Sequence, residues 1–338
     1  MANKIEVSII LALYNGERTL NDFLESVFSQ DYPKNKFELL IFDGGSTDKS
    51  LSIIKKFEKD NKNLRLIHNP KKLGEGIGMG KDTGRKIANG KFVVYLDHDN
   101  IIHGKNWLEN IIYPLQKDKT IMASQSLTTY KKDNDPFTKF INYTGVEDPF
   151  AIPFSLVSQV LLNPQDFKLI ENKYYIYQLP KKNLLFGGSN GCAYRKEVFD
   201  IIGGHTRDLD IFTSMAEKNM KVAIPKEAKL IHKTAPDFGA FLKKRWRYTF
   251  NLYVNEYKTR KYRWIEKGFR PKISFALRVL YNLSIVGPFF EFLPKALKRR
   301  EAFITLYPLY IFYTTFIYSI GTLIYFKNFL KYVEQSTL

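Results

Sequence analysis

Two aspartates separated by a single residue, Asp97 and Asp99, follow the apolar segment KFVVYL. Ionised groups just past a buried strand lose hydration, so they are costly to leave without partners. Carboxylate oxygens are the ligands that Mg²⁺ and Mn²⁺ prefer, and these cations also bridge diphosphates. The pair therefore indicates either a divalent-cation site or a solvated turn after an edge strand, and these two residues alone favour neither.

A third aspartate, Asp43, ends the apolar segment FELLIF and precedes the segment GGSTD at 44–48. Two consecutive glycines permit a tight turn and a close approach of the backbone to a ligand. Asp43 could therefore accept hydrogen bonds from a base or a ribose. The alternative is an ordinary strand-to-helix turn with Asp48 near the helix N-terminus, and the motif taken alone favours that alternative.

The glycine-rich segment 73–81, LGEGIGMGK, does not match a phosphate-binding loop. The dinucleotide-binding fingerprint is not met in any register, and Gly80-Lys81 lacks both the upstream glycine and the following Ser or Thr of a P-loop. We therefore expect a flexible loop beside a ligand.

The elements that must position these residues alternate between strand and helix. Strands are predicted at the short apolar segments 6–13, 37–42, 64–67 and 91–96. Helices are predicted where apolar side chains recur at helical spacing, at 19–29, 46–57 and 81–88. This alternation predicts a doubly wound α/β fold with a parallel sheet, whose ligands bind beyond the carboxyl ends of the strands. Residues 130–185 mix Pro, Asn, Lys and aromatic residues and are interpreted as an insertion.

Four motifs together resemble those of the inverting glycosyltransferases of family 2, which have the nucleotide-sugar-binding GT-A fold. They are YNGE at 14–17, LLIFDGGSTD at 39–48, GKFVVYLDHDN at 90–100 and FGGSNGCAYRKEVFDIIGG at 186–204. Their order and spacing match the family over about residues 1–250. The chain departs from the usual Pro, Asp, Asn and acidic residue of the family at Ala12, Gly44, Asp82 and Arg207.

The resemblance implies a nucleotide site. It assigns to that site the residues Tyr14, Asn15, Glu17, Asp43 and Asp97. Asp43 would contact the base or ribose, Tyr14 would stack nearby, and Asp97 would contact the ribose or a metal-bound water.

The resemblance also implies a divalent metal, Mn²⁺ or Mg²⁺, held by Asp99. His232 follows the strand-like segment AKLI, where related enzymes often place a further metal or phosphate ligand. A lone histidine after a strand is more often structural than a ligand, so a structural role is favoured for His232 and a ligand role stays open. Asp208 would be the general base that takes the proton from the acceptor hydroxyl.

The last third of the chain combines apolar, aromatic and basic residues. Residues 302–326 contain no charged side chain and, as a helix, would be long enough to cross a bilayer core; a buried core helix is the alternative. Residues 273–293 are apolar but contain Arg278 and Glu291, which favours an interfacial or re-entrant segment. Residues 238–263 are typical of a helix lying on an anionic lipid surface.

The net charge of +18 implies a polyanionic partner, which could be nucleic acid, anionic lipid or a phosphorylated substrate. Aromatic residues make up 15% of the chain, and many lie in its apolar last third, so membrane lipids are favoured and no nucleic acid is expected. The single cysteine, Cys192, excludes an intramolecular disulfide. We expect a membrane-associated protein with its catalytic domain on the cytoplasmic side.

These observations predict an α/β GT-A catalytic domain over 1–235, with a Rossmann-like, mostly parallel sheet, and helical membrane-anchoring segments over 236–338. The predicted function is transfer of a sugar from a nucleotide-diphosphate sugar, with UDP expected, to a hydroxyl of a glycan or lipid-linked acceptor in polysaccharide or glycoconjugate biosynthesis. Processive relatives carry Gln-x-x-Arg-Trp, whereas Leu242 precedes Arg245-Trp246 here, so transfer of one sugar is favoured.

Two alternatives remain. A sugar nucleotidyltransferase would normally show a Gly-rich, Lys- or Arg-bearing phosphate signature after the first strand, where this chain has YNG. A catalytically inactive, membrane-bound binding protein could use the same scaffold. Against that second alternative, the chain retains together the carboxylates Asp43, Asp97, Asp99 and Asp208.

Overall fold

The structure is a computed structural model that describes residues 5–68, 76–188, 191–204, 208–256, 261–262 and 269–335. The chain divides into two compact units: unit 1 is Met1–Thr129 with Gln159–Lys233, and unit 2 is Tyr130–Ser158 with Thr234–Leu338. The predicted division lies after residue 235, whereas the structure also groups Tyr130–Ser158 with the C-terminal residues.

Unit 1 contains a large and a small β-sheet. The strands are β1 (Val7–Leu13), β2 (Phe37–Asp43), β3 (Leu64–His68), β4 (Phe92–Tyr95), β5 (Asn100–His103), β6 (Ile121–Gln125), β7 (Leu127–Thr128), β8 (Lys168–Ile170), β9 (Tyr174–Gln178), β10 (Cys192–Arg195), β11 (Lys221–Pro225) and β12 (Lys229–His232). The large sheet has the order β3-β2-β1-β4-β10-β6-β11-β9-β8, and the small sheet has the order β5-β12-β7. Strands β3, β2, β1 and β4 are parallel, whereas β10 is antiparallel to both of its neighbours, so the sheet is mixed.

Helices follow most of the strands in unit 1 and make up most of unit 2. They are α1 (Glu17–Phe28), α2 (Ser50–Asp60), α3 (Gly76–Ile87), α4 (Trp107–Lys117), α5 (Pro136–Thr144), α6 (Leu156–Leu162), α7 (Val198–Ile202), α8 (Asp208–Glu217), α9 (Phe238–Phe250), α10 (Phe269–Leu283), α11 (Val286–Arg299), α12 (Tyr307–Ile324) and α13 (Phe326–Gln335). Short 3-10 helices occur at Pro149–Phe154, Pro164–Asp166 and Ala302–Leu306, and a π-helix at Asn251–Glu256.

The central strands of the large sheet explain the α/β fold. Nearly every residue of β1 and β2 is buried, as expected for strands that are covered on both faces by helices. The buried face of α1 carries Leu20, Phe23 and Leu24, which join the same core. The predicted α/β class is confirmed, and the antiparallel pairs make the sheet mixed rather than purely parallel.

The glycine-rich segment is partly helical, so the predicted loop is wrong for residues 76–80, whereas the helix predicted at 81–88 is confirmed and begins earlier. Helix α3 begins at Gly76 and lies against β1. A Cβ atom at Gly84 would approach Ile10 Cγ2 to 2.6 Å, and one at Gly80 would approach the Cβ of Ala12 to 3.3 Å. These glycines therefore allow a helix to lie unusually close to the sheet. Residues 73–75 lie outside the described residues.

The segment predicted as an insertion has two different parts. Residues 168–178 form β8 and β9, which extend the large sheet through the antiparallel pairing of β9 with β11. Tyr130–Ser158 instead belongs to unit 2. The mixed composition of this segment reflects that division, because its two halves pack in different cores.

Unit 2 is built around aromatic side chains from α5, α9 and α12. The ring of Tyr310 lies 5.1 Å from that of Phe140 and 4.7 Å from that of Phe238, and Phe137 lies 5.0 Å from Phe241. Aromatic pairs at such separations bury large areas and add a small favourable quadrupole interaction. Helix α12 is therefore partly a core helix of unit 2.

An ionic cluster holds the middle of α9 to Glu147 and Asp148, the two residues before the Pro149–Phe154 helix. Arg245 donates to Glu147 Oε1 at 2.7 Å, and the Lys244 Nζ lies 2.5 Å from the same oxygen. Asp148 accepts a hydrogen bond from Tyr318 and faces Arg245 Nη1 at 3.6 Å. Burial raises the pKa of the Asp148 carboxyl, although the guanidinium opposes that shift.

One helix among the described residues, Ala302–Ile324, is long and apolar enough to cross a membrane, with a mean hydropathy of 1.3 and 44% of its most apolar part buried in unit 2. A second span is counted only if Ile273–Leu283 and Val286–Arg299, bent by 72°, act as one segment. Length and composition thus allow one crossing helix, and the buried share equally fits a core helix.

Candidate active site

The candidate site lies where neighbouring parallel strands of the large sheet end. Leu13 of β1 pairs with Asp43 of β2, and Asp43 pairs with His68 of β3. Strand β4 pairs with β1 in the same direction and ends at Tyr95, two residues before Asp97. The polar residues that follow these strands therefore share one edge of the sheet, as the sequence predicted for a doubly wound fold.

The carboxylate of Asp43 is 2% exposed and is held by the turn that follows it. It accepts hydrogen bonds from the backbone N–H of Gly45 at 3.1 Å and of Ser46 at 3.1 Å. Gly45 has a φ of +88°, a conformation that glycine adopts without a steric penalty. The glycine pair thus folds the chain around a buried, oriented carboxylate.

The residues after β1 are fastened to this same turn. Asn15, with a φ of +52°, donates its backbone N–H to Ser46 Oγ at 2.9 Å and accepts from Thr47 N–H at 2.8 Å. Glu17 accepts from the Lys49 N–H at 3.0 Å. Both side chains therefore hold the two loops together in this structure. Tyr14 is 43% exposed beside them.

Asp48 completes the link between the loops. It accepts hydrogen bonds from the backbone N–H of Glu17 and of Ser50, both at 2.9 Å. Burial raises the pKa of the Asp48 carboxyl, but the hydrogen bonds from Ser50 and Glu17 outweigh burial, so the pKa lies below its ordinary value. Asp48 consequently stays ionised at the N-terminal end of α2, where an anion is favoured.

A cavity of about 470 Å³ opens beside Asp43. Its lining residues come from the ends of β2 and β3 and from α2: Asp43, Gly45, Ser46, Leu51, Lys55, Leu66 and His68. The volume lies in the range of about 300–1,000 Å³ that is usual for small-molecule sites. The mixture of apolar walls with a carboxylate, a cation and a ring suits a flat, polar-edged group such as a nucleobase.

Asp97 is paired with a buried lysine that the sequence did not indicate as a site residue. Lys81 of α3 is 1% exposed, and its Nζ lies 3.2 Å from Asp97 Oδ1. The Asp97 N–H donates to Asn100 Oδ1 at 3.1 Å, and Asn100 donates in turn to Asp99 Oδ1 at 3.1 Å. The only sequence feature that could have indicated this role of Lys81 is its place among closely spaced glycines, which allow a helix to pack close to a sheet.

Asp99 and His232 lie together although they are far apart in sequence. Their side chains approach to 3.3 Å, from His232 Nε2 to Asp99 Oδ2. The contact follows from the antiparallel pairing of β5 with β12, which places His232 opposite Asn100. The backbone N–H of Lys233 donates to the carbonyl oxygen of Asp99 at 2.8 Å, which fixes this strand end.

The Asp99–His232 pair places one oxygen and one nitrogen donor side by side, and both are donor types that divalent metals accept. Among the described residues, no group of three or more histidine, cysteine, aspartate or glutamate side chains is arranged to hold a metal ion. Mg²⁺ in nucleotide enzymes usually takes one or two protein carboxylates, with substrate phosphates and waters as its other ligands. An oxygen and an imidazole donor side by side fit such a shared site.

The predicted general base begins a helix in unit 1. Asp208 is the first residue of α8. Its side chain, and the whole of Arg207, lie outside the described residues. The role of Asp208 therefore stays a prediction, as do the nucleotide and metal roles of the other site residues.

A sheet of this mixed topology, with aspartates after its adjacent parallel strands, has the GT-A architecture. The family model for "Glycosyl transferase family 2" matches residues 8–203. That match covers more than half of the chain, and the chain therefore belongs to glycosyl transferase family 2. The resemblance noted from the four sequence motifs is confirmed.

Characterised relatives match parts of the chain. The dolichyl N-acetyl-alpha-D-glucosaminyl phosphate 3-beta-D-2,3-diacetamido-2,3-dideoxy-beta-D-glucuronosyltransferase of Methanococcus voltae is 40% identical over 95 residues, which are 26% of this chain and 27% of that protein. Glycosyltransferase GlyG of Streptococcus pneumoniae is 25% identical over 182 residues, which are 53% of this chain and 57% of that protein. The chain thus spans from 27% to 57% of the length of these two relatives.

A solved structure supports the fold over nearly the whole chain. Mannosyltransferase PcManGT from Pyrobaculum calidifontis, in complex with GDP-Man and Mn²⁺, matches with a TM-score of 0.54 and 15% sequence identity. The match covers 93% of this chain and 87% of that chain. At this identity the likeness shows a shared fold.

Replacement of Lys81 tests the buried ion pair at this edge. We expect Lys81→Met to lower the free energy of unfolding by about 1–3 kcal/mol, because Asp97 loses its cation but keeps partial contact with water. Lys81→Arg is the matched control and should recover most of the loss, since it keeps the charge. Unfolding in denaturant measures both, and a Lys81→Met variant as stable as the parent protein would show that the pair is not stabilising.

Proposed function

We propose that this chain transfers a sugar from a nucleoside diphosphate sugar, with UDP as the expected nucleotide, to an acceptor hydroxyl. The observation that carries the proposal is the assembly of the Asp43 cavity, Asp97 and the Asp99–His232 pair after neighbouring strands in a member of glycosyl transferase family 2.

The base of the donor is proposed to enter the cavity beside Asp43. The Asp43 carboxylate is oriented before any ligand arrives, because two backbone N–H groups already hold it. Hydrogen bonding to the N–H edge of uracil then needs little reorganisation of the protein. Tyr14, which is exposed beside the turn, supplies a ring for stacking. Asn15 and Glu17 position the loops that carry these contacts.

The diphosphate is proposed to lie toward Asp99 and His232. A divalent metal, Mn²⁺ or Mg²⁺, bound there would offset the negative charge that develops on the departing diphosphate. Asp99 supplies a hard oxygen donor, and His232 supplies a nitrogen whose position is fixed by strand pairing. The ammonium group of Lys81, 3.2 Å from Asp97 Oδ1, offsets the negative charge of Asp97 at this edge.

The acceptor is proposed to be activated by Asp208. Its carboxylate takes the hydroxyl proton as the acceptor oxygen bonds to the anomeric carbon and the bond from that carbon to the diphosphate breaks. One displacement of this kind inverts the anomeric centre. Membership of the family supports transfer to an acceptor over the nucleotidyl transfer that the sequence left open.

The membrane association is proposed to come from unit 2, and a lipid-linked glycan is then the expected acceptor. The helix Ala302–Ile324 contains no charged residue, and its residues Leu309 and Phe316 remain exposed on unit 2. Basic residues near it, Lys298 and Arg299, would favour an anionic cytoplasmic leaflet. The catalytic unit would then lie on the cytoplasmic side.

Replacement of Asp99 tests the metal site. We expect Asp99→Asn to lower sugar transfer by about 100-fold or more, because charge stabilisation on the leaving group is lost. It should also abolish the Mn²⁺-dependent part of UDP binding in a thermal-shift or calorimetric assay. Asp60→Asn, at an exposed helix end, is the control for loss of a carboxylate. Near-normal turnover of Asp99→Asn with Mn²⁺ would contradict the assignment of Asp99 as a metal ligand. Tighter binding of GDP than of UDP by the parent protein would contradict the choice of uracil as the nucleobase.

Replacement of Asp208 tests the general base. We expect Asp208→Asn to reduce kcat by about 10²–10⁴-fold with donor affinity nearly unchanged, because the acceptor proton is transferred only in the transition state. Steady-state kinetics and UDP binding are measured on the same preparation. A parallel fall of donor affinity and kcat would identify Asp208 as a binding or structural residue instead.

Salt and detergent extraction tests the anchor on the full-length chain. Hydrocarbon burial is insensitive to salt, so a high-salt wash should leave the protein in the membrane pellet and a mild detergent should release it. The full chain is needed because α12 also packs in the aromatic core of unit 2. Recovery of the protein in the soluble fraction without detergent would exclude the anchor and remove the support for a lipid-linked acceptor.

A further inference from the structure

An open groove of about 720 Å³ lies on unit 2 along α9, beside Ile317 of α12. Its lining residues are Ala240, Leu242, Lys243, Trp246, Arg247 and Ile317. None of these residues has a role in the sugar transfer proposed above. Its volume lies within the range of about 300–1,000 Å³ that is usual for small-molecule sites.

The floor of the groove is apolar and continues along both helices. Trp246 is 37% exposed, and Phe250, one turn further along α9, is also exposed. Ile317 of α12 lies one turn after the exposed Tyr313. Residues four apart on a helix share one face. Trp246 and Phe250 therefore form a row of exposed apolar side chains along α9, and the half-buried Ile317 adds an apolar contact from α12.

The basic run of α9, KKRWR at 243–247, divides into two sets in the structure. Lys244 and Arg245 pair with the partly buried carboxylate of Glu147. Lys243 and Arg247 are exposed, lie one turn apart at the groove, and make no ion pair within the described part of the chain. Two cations of the run are thus neutralised inside unit 2, and two remain beside Trp246.

We propose that this groove binds one anionic phospholipid of the membrane. An acyl chain would lie along Leu242, Trp246 and Ile317, and the phosphate would lie between Lys243 and Arg247. The amphipathic shape of the site matches a ligand with one hydrocarbon end and one anionic end. The inference rests on the membrane anchoring proposed above and adds to it a site that selects the headgroup.

Charge argues against a second copy of this chain as the occupant. A two-fold interface through the groove would bring Lys243 and Arg247 of one copy close to the same cations of the other. Like charges that meet at an interface are strongly unfavourable. Continuity also favours lipid, because Ile317 belongs to the helix Ala302–Ile324, which could enter a bilayer by its length and composition.

The fluorescence of Trp246 gives a direct test in the full-length chain. Trp107 is 1% exposed, and Trp264 is replaced by Phe, so that Trp246 reports contact with lipid. The chain is reconstituted into two sets of phosphatidylcholine vesicles that hold the same fraction of phosphatidylglycerol. Bromine is carried on the acyl chains of the phosphatidylglycerol in one set, and on an equal number of phosphatidylcholine molecules in the other. Surface charge and bromine content are therefore the same in both.

We expect stronger quenching when the anionic lipid carries the bromine. The double variant Lys243→Gln, Arg247→Gln should weaken the apparent affinity for brominated phosphatidylglycerol by roughly 10- to 30-fold. Quenching of Trp246 should then be the same in the two vesicle sets. The matched control is Lys131→Gln with Lys132→Gln, which removes two exposed charges from the same unit and should keep the difference. Trp246→Phe should remove the quenching in both sets.

Co-sedimentation with the same vesicles separates the two proposals. Equal quenching of the parent protein by both bromolipids would overturn headgroup selection, and absence of quenching with normal co-sedimentation would show that the groove does not face lipid. Trp246 emission that depends on protein concentration without vesicles would identify a second copy as the occupant. Failure to co-sediment would overturn the anchoring itself, and the groove proposal with it.

Discussion

The parallel hydrogen bonding of β1 with β2 and with β4 is the constraint on which the candidate site depends. Parallel pairing brings the carboxyl ends of neighbouring strands to one edge, and the register then decides which residues meet there. A slip of one residue between β1 and β2 would turn the side chain of Asp43 to the opposite face of the sheet. The pairing of Ser8 with Glu38 opposes such a slip, because the Ser8 hydroxyl donates a buried hydrogen bond to Glu38 Oε1 at 2.7 Å that only this register allows.

A second layer of interactions makes this edge rigid. Asn15, Glu17 and Asp48 connect the loop after β1 with the loop after β2 through side chain to backbone hydrogen bonds. These bonds satisfy N–H groups that would otherwise be unpaired at the start of α1 and just before α2. The cavity beside Asp43 therefore has walls that do not need to form when a ligand arrives, and preorganised sites bind at a lower entropic cost.

Unit 2 shows how a strongly basic, aromatic segment can fold without a large charge penalty. Glu147 and Asp148 neutralise two cations of α9 in the interior, and the aromatic rings of α5, α9 and α12 fill the surrounding space. Removal of one partner from such a buried cluster is expected to cost several kcal/mol, about 3–5 in typical cases. Lys243, Arg247 and Trp246 of the same helix instead lie at the surface of unit 2.

The sequence alone determined the α/β class, the first four strands and the family, because buried strands, helical periodicity and the four motifs are local patterns of residue type. It also indicated the acidic residues after those strands. It did not show that Lys81 faces Asp97, because that pair requires α3 to approach the sheet across glycines, and the glycine spacing alone resembled a loop. The contact of Asp99 with His232 required the pairing of β5 with β12. The grouping of Tyr130–Ser158 with the C-terminal helices was likewise visible only in the tertiary structure, because the aromatic and ionic partners of this segment lie far along the chain. No local sequence pattern shows which distant residues will share a core.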